Sequence, residues 1–271
     1  MKHYHRVLTI AGSDSGGGAG IQADIKTISA CGCYAASAIT AITVQNSLGV
    51  TAVHPVPTDY IEQQIEAVLS DIGADAIKIG MLHSEEVIRV VVRMLQKHEC
   101  RNVVVDPVMV STSGHRLIEE SAIESLCADM LPLASVITPN IPEAEILLGG
   151  KKLERQASLY DAARELGMKF RTSVLLKAGH LTEDRLVDIF YNVGDGLITE
   201  LPSVRIDTRN THGTGCTMSS AFASHLAKGM DMVEAAKGAK KFINDAIISG
   251  ADYEIGHGHG PVNHFFMLTE E

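Results

Sequence analysis

Short runs of β-branched and aliphatic residues alternate along this chain with segments whose apolar positions recur every three or four residues. Val7 to Ala11 is an apolar run that enters the Gly-rich stretch Gly12 to Gly20, after which Ile21, Ile25 and Ile28 fall on one helical stripe. The order is strand, loop, helix. It returns at Ala76 to Ile79, followed by helical period from Ser84 to Gln96, and at Val103 to Val105, which ends on Asp106. Further strands are predicted at Val136 to Thr138, Val174 to Lys177, Leu186 to Tyr191 and Leu197 to Leu201. Strands alternating with amphipathic helices make βαβ units, so the pattern predicts an α/β fold, a central, mostly parallel sheet with helices on both faces. Ligands then gather at the carboxyl ends of the strands. Ser37 to Val56 is rich in Ile, Thr and Val without helical period and reads as a hairpin or flap at one sheet edge. No repeat or Pro-rich linker divides the chain, so residues 1–271 read as one domain.

Charge narrows the partners. Lys and Arg number 23 against 33 Asp and Glu, a net charge of −10, and the only paired lysines are Lys151-Lys152 and Lys240-Lys241. Neither a nucleic-acid nor an anionic-membrane surface is expected without a clustered basic footprint. The apolar stretch Val7 to Ala11 stops too soon for a signal-peptide core, and the uncharged stretch Ile28 to Thr58 is too polar to span a membrane. Cysteines 31, 33, 100, 127 and 216 then read as reduced thiols, and a cytoplasmic location is expected.

The candidate chemistry lies at predicted strand ends. Ala11 to Gly20, closed by Gln22 and Asp24, lets backbone approach a ligand that Asp24 could bond; it also reads as a tight strand-to-helix turn with Asp24 on a solvated helix face. It matches neither a P-loop, which needs Lys after its second glycine, nor G-x-G-x-x-G. Thr211-His-Gly-Thr-Gly-Cys-Thr217 leads into a helical pattern and aims free backbone N–H groups at one spot, as a phosphoryl group requires. Cys216 falls in that first turn, where the helix dipole is expected to favour its thiolate; the alternative is a buried cysteine that only packs. Asp106, and Asn140 with Glu143, offer strand-end oxygens suited to magnesium, although Asn-x-Pro-Glu is also a helix capping box. Lys177 ends an apolar strand, placed either to meet a phosphate or to snorkel at the surface. His257, His259 and His264 read as an ordered Gly-rich tail more than a metal site, and Cys31-Gly-Cys33 as core residues beside a turn.

Taken in order, Ala11 to Lys26, Ile42-Thr-Val-Gln-Asn46, Lys78-Ile-Gly-Met-Leu82, Asp106-Pro-Val-Met109, Thr138-Pro-Asn140, His212-Gly-Thr-Gly-Cys216 and Gly258 to His264 closely resemble the hydroxymethylpyrimidine/phosphomethylpyrimidine kinases of thiamine synthesis. The resemblance spans nearly the whole chain. It implies a ribokinase-like fold and ATP- and magnesium-dependent phosphorylation of a hydroxymethyl group, then of the monophosphate. It also implies a homodimer. By position, Asp24 and Gln45 would bond the pyrimidine, with Gly12, Met81 and Val108 lining its pocket. Asp106 and Glu143 would sit on the magnesium side, and Asn140, Lys177, Thr214 and Lys240 with the nucleotide. Gly213, Gly215, Lys177 and Cys216 would act on the transferred group, Cys216 as general base where the wider ribokinase family has an aspartate. A pyridoxal kinase or a non-catalytic nucleotide-binding regulator on the same framework are the alternatives. Gln45-Asn46 favours the pyrimidine, because an amide offers a donor and an acceptor to an amino group beside a ring nitrogen.

Overall fold

The computed structural model describes residues 2–109, 117–179, 181 and 185–268. Among these residues nine strands form one sheet: β1 (Arg6–Asp14), β2 (Tyr34–Asn46), β3 (Gly49–Pro55), β4 (Ala76–Ile79), β5 (Val103–Val105), β6 (Val136–Ile137), β7 (Ser173–Leu176), β8 (Arg185–Tyr191) and β9 (Ile198–Val204). Their order across the sheet is β3-β2-β1-β4-β5-β6-β7-β8-β9. The six strands from β2 to β7 in that order pair in parallel, and β3, β8 and β9 add antiparallel edges. The predicted flap is the β2–β3 hairpin, with β3 on the edge.

Because side chains alternate across a strand, neighbouring residues enter two different cores. Ile77 and Ile79 of β4, Val103 and Val105 of β5, and Val174 and Leu176 of β7 join one core. It is covered by α2 (Thr58–Ala67), α3 (Glu85–Lys97), α4 (Glu120–Ser125), α5 (Ile141–Leu147) and α6 (Gln156–Phe170). Ala76, Val104 and Leu175 join the other, under α1 (Gly20–Ala30), α7 (Thr214–Ala227) and α8 (Met232–Gly250). Lys78 shares the parity of Ala76 and therefore points into this second core. The strands read as continuous apolar runs because both faces are covered.

Local signals set the ends. Ser84 caps α3 by accepting the Val87 amide, Glu85 and Glu86 occupy its positive end, and Val87, Ile88, Val91 and Met94 form its buried stripe. β1 runs three residues past the predicted Ala11, because Ser13 and Asp14 resume pairing with β2 after a bulge at Gly12. From β1 the chain moves to β2 on one side and later to β4 on the other. That reversal opens a crevice at the carboxyl end of the sheet, the usual ligand position in such folds.

Candidate active site

A cavity of about 870 Å³ occupies that crevice. The loops after β1, β4, β5 and β7 and the start of α7 line it, so residues far apart in sequence converge. Gly12, Gln45, Met81 and Val108 line it, and so do Asp106, Asn140, Glu143, Lys177, Lys240 and Gly213 to Cys216. Gly12 has a packing reason: a Cβ there would lie 3.0 Å from the Met81 sulfur.

The turn at the start of α7 needs its first glycine. Gly213 has φ of +79°, and a side chain there would overlap the Gly18 carbonyl, so the Gly-rich loop and this turn are in direct backbone contact. Gly215 carries no side chain where one would lie 3.2 Å from both Asp106 Oδ2 and Lys177 Nζ. The helix N-terminus thus faces a cation and a carboxylate, an arrangement that can receive a phosphoryl group.

Lys177 Nζ lies 2.9 Å from Asp106 Oδ1, and Thr138 Oγ1 donates to the same oxygen at 2.8 Å. Burial works against the Asp106 charge, but Lys177, Lys78 and these hydrogen bonds overcome it and hold the carboxyl below its usual range. Burial likewise opposes the Lys177 ammonium, and Asp106 and Glu143 outweigh it and raise its pKa. Glu143 behaves differently. Burial, reinforced by Asp106 and opposed by Lys177, pushes its carboxyl up to about 7. Asn140 and Glu143 also form the capping box of α5, so the local reading of this motif holds beside the functional one. Lys240 is buried and pairs with Asp188 at 2.6 Å.

Two expectations are corrected. Burial pushes the Cys216 thiol up to about 11; Lys78 and the Gly20 amide lower it, but Asp24 and Asp106 oppose them. Cys216 lines the cavity, yet loss of water outweighs the helix dipole that was expected to favour thiolate. Asp24 is fully buried and does not line the cavity. Its oxygens are taken by Thr9 at 2.6 Å, Ser220 at 2.8 Å and Lys78 at 2.9 Å, so a buried ion pair with Lys78 stands where a ring contact was expected.

Lys78 is the functional candidate that sequence reading passed over. It is fully buried, lines the cavity and is held in its charged form; burial opposes that charge and Asp24, Cys216 and Asp106 restore it. The signal was present: a lysine inside the four-residue strand Ala76–Ile79, whose other members are all apolar. Asp14 and His212 were also missed. Asp14 accepts the Gly16, Gly18 and Ala19 amides and meets His212 Nε2 at 2.8 Å, tying the Gly-rich loop to the turn before α7.

Outside the cavity, His264 is buried against Thr217 Oγ1 at 3.1 Å, and burial lowers its pKa to about 4. The tail also packs on the flap, His259 donating its backbone N–H to the Ser47 carbonyl. Among the described residues no three His, Cys, Asp or Glu converge as a metal cluster, and no helix is long and apolar enough to cross a membrane. Cys31 and Cys33 are buried on either side of Gly32, whose φ is +76°.

Comparison with known proteins adds the following. The family model described as phosphomethylpyrimidine kinase matches residues 14–263. The hydroxymethylpyrimidine/phosphomethylpyrimidine kinase of Rhizobium meliloti is 48% identical over 258 residues, covering 95% of this chain and 96% of that protein. The chain spans about half the length of the chloroplast bifunctional thiamine enzymes it matches, 52% for Arabidopsis thaliana and 48% for rice. A solved pyridoxal kinase from Bacillus subtilis, in complex with ADP, is 36% identical with a TM-score of 0.90, covering 98% of this chain and 100% of that one. A solved phosphomethylpyrimidine kinase from Clostridium difficile is 44% identical with a TM-score of 0.79, covering 89% of this chain and 99% of that one.

Proposed function

The chain belongs to the phosphomethylpyrimidine kinase family, and from that premise we propose that it transfers phosphoryl from ATP to the hydroxymethyl group of 4-amino-5-hydroxymethyl-2-methylpyrimidine, and then to its monophosphate, in thiamine synthesis. The observation that carries this reading is one cavity with a glycine-lined helix N-terminus beside Lys177 and Asp106, and with the Gln45 amide lining it too.

Phosphoryl transfer needs positioning and charge neutralisation more than covalent chemistry. In this reading Lys177 neutralises the polyphosphate, with Asn140, Thr214 and Lys240 on the nucleotide. Gly12, Met81 and Val108 bound the ring, and Gln45 bonds it. Asp106 and Glu143 would hold magnesium. They fit it, because a buried acid pushed toward neutrality beside a second carboxylate is a place where a divalent cation would compensate charge. Magnesium, when bound, would supply charge neutralisation at the phosphate oxygens. The hydroxymethyl oxygen attacks the γ-phosphorus as the bond to the β–γ bridging oxygen breaks, and ADP leaves. The backbone amides at Gly213 to Cys216 meet the charge on the transferred group, and Cys216, through the small thiolate fraction its raised pKa leaves, takes the hydroxyl proton.

Pyridoxal kinase is the second reading, supported by the fold likeness at TM-score 0.90; the higher identity to pyrimidine kinases, 48% against 36%, favours the first. A coupled ADP-release assay on both rings decides. Turnover of the aminopyrimidine with a much higher kcat/KM than pyridoxal is expected, and the reverse preference overturns the assignment. The reading includes a homodimer, supported by the exposed Ile42, Val44 and Leu48 on the β2–β3 flap, and cytoplasmic residence. Sedimentation and cell fractionation test these.

A further inference from the structure

We infer that Asp14, His212 and Thr43 fix the direction in which the Gln45 amide faces the cavity, and that this direction selects a ring bearing an amino group beside a ring nitrogen. The inference rests on the proposed role of Gln45 and names the residues that set its specificity.

Asp14 is 2% exposed, and its carboxylate takes the Gly16, Gly18 and Ala19 amides at 3.0 Å or less. Burial raises its pKa, but His212 and these amides prevail and hold it below the usual range. It can only accept, so His212 Nε2, 2.8 Å from Asp14 Oδ2, carries a proton and donates it there. On the other side, the nearer acceptor for the single Thr43 hydroxyl proton is the Ser13 carbonyl at 2.8 Å. Thr43 therefore turns a lone pair toward Gln45.

The Gln45 amide lies between these two groups. Its nitrogen is 3.3 Å from His212 Nε2 and its oxygen 3.2 Å from Thr43 Oγ1, so a donor faces a donor and an acceptor faces an acceptor. A half turn of the amide relieves both conflicts at once. The oxygen then shares the His212 N–H, and the nitrogen donates to Thr43. What remains for a ligand is an acceptor lone pair on the His212 side and an N–H on the Thr43 side.

His212 immediately precedes the turn where the phosphoryl group is transferred. Reading away from that turn, the site offers an acceptor and then a donor. The ring edge of the proposed substrate runs in the matching order: hydroxymethyl, amino donor, ring-nitrogen acceptor. A 4-oxo ring presents an acceptor and then an N–H, and mismatches at both places. Pyridoxal has no such pair beside the hydroxymethyl group that a kinase phosphorylates.

The test measures kcat/KM for the 4-amino ring and its 4-oxo analogue, with ATP saturating, in the wild type and three variants. The wild type is expected to prefer the amino ring by about 100-fold or more. Thr43→Val, which keeps the volume and removes the lone pair, and His212→Asn should each lower that ratio at least about tenfold with the KM for ATP unchanged. Gln45→Ala should abolish the ratio and raise the KM for the pyrimidine much more than that for ATP. If His212→Asn does not fold, Thr43→Val decides alone. An unchanged ratio in Thr43→Val, with the ratio lost in Gln45→Ala, overturns this inference and leaves Gln45 as the ring reader. An unchanged ratio in Gln45→Ala overturns both.

Discussion

Replacing Cys216 by alanine separates the thiol from the backbone amides of its turn, which survive the change. The thiol is pushed up to about 11, so at pH 7, four units lower (11 − 7), roughly one molecule in ten thousand carries the thiolate. A base populated that sparsely leaves a signature: turnover limited by chemistry should rise about tenfold for each pH unit between 7 and 9. Cys216→Ala should flatten the profile and lower turnover by about 100-fold or more at neutral pH, while the KM for ATP stays near wild type. Cys216→Ser should rescue little, because a hydroxyl is a still weaker acid. Cys216→Asp replaces a group titrating near 11 by a carboxyl and should restore part of the rate with the rise moved to lower pH. Single-turnover quench measurements, with both substrates saturating, isolate the chemical step. A flat wild-type profile together with full turnover in Cys216→Ala would refute the reasoning, and would leave the turn to act through its amides alone.

Three further outcomes are expected. Lys78→Met should destabilise the fold by about 3 to 5 kcal/mol in urea unfolding, because it strands the fully buried Asp24 charge; pairing it with Asp24→Asn should recover much of the loss. Glu143→Gln should raise stability at pH 8, on the order of 3 kcal/mol at most, and leave it unchanged near pH 4. A carboxyl raised to about 7 in the fold costs stability as pH climbs from its unfolded value through 7, so the gain should vanish on acidification in a thermal-melt series. Asp106→Asn should raise the magnesium concentration needed for half-maximal turnover and leave the KM for the pyrimidine nearly intact; unchanged magnesium dependence would remove Asp106 from that role.

Much of this molecule is written in short stretches of sequence. The strands from Val7, Ala76, Val103 and Val174 are legible because a strand covered on both faces must be an unbroken apolar run. The Asn140–Glu143 capping box and the cap at Ser84 close within three residues, so their chemistry is local and readable. Gly213 is legible as a glycine; that it is obligatory, because its backbone touches Gly18, is a fact of two loops meeting. The net charge of −10 is likewise read from composition alone.

What the tertiary structure decided is the state of each group once water is removed. A helix N-terminus favours thiolate at Cys216, a sequence-level fact, but burial beside Asp24 and Asp106 reverses the sign, and those neighbours come from other elements. Asp24 looks free in sequence and is saturated in space, its partner Ser220 lying 196 positions away. Asp14 and His212, which fasten the two glycine-rich loops, are separated by 198. Periodicity and capping report interactions within a few residues. Desolvation and hydrogen-bond saturation depend on which distant segments the sheet order brings together, so sequence nominates these residues and the fold assigns their charge and their free bonds.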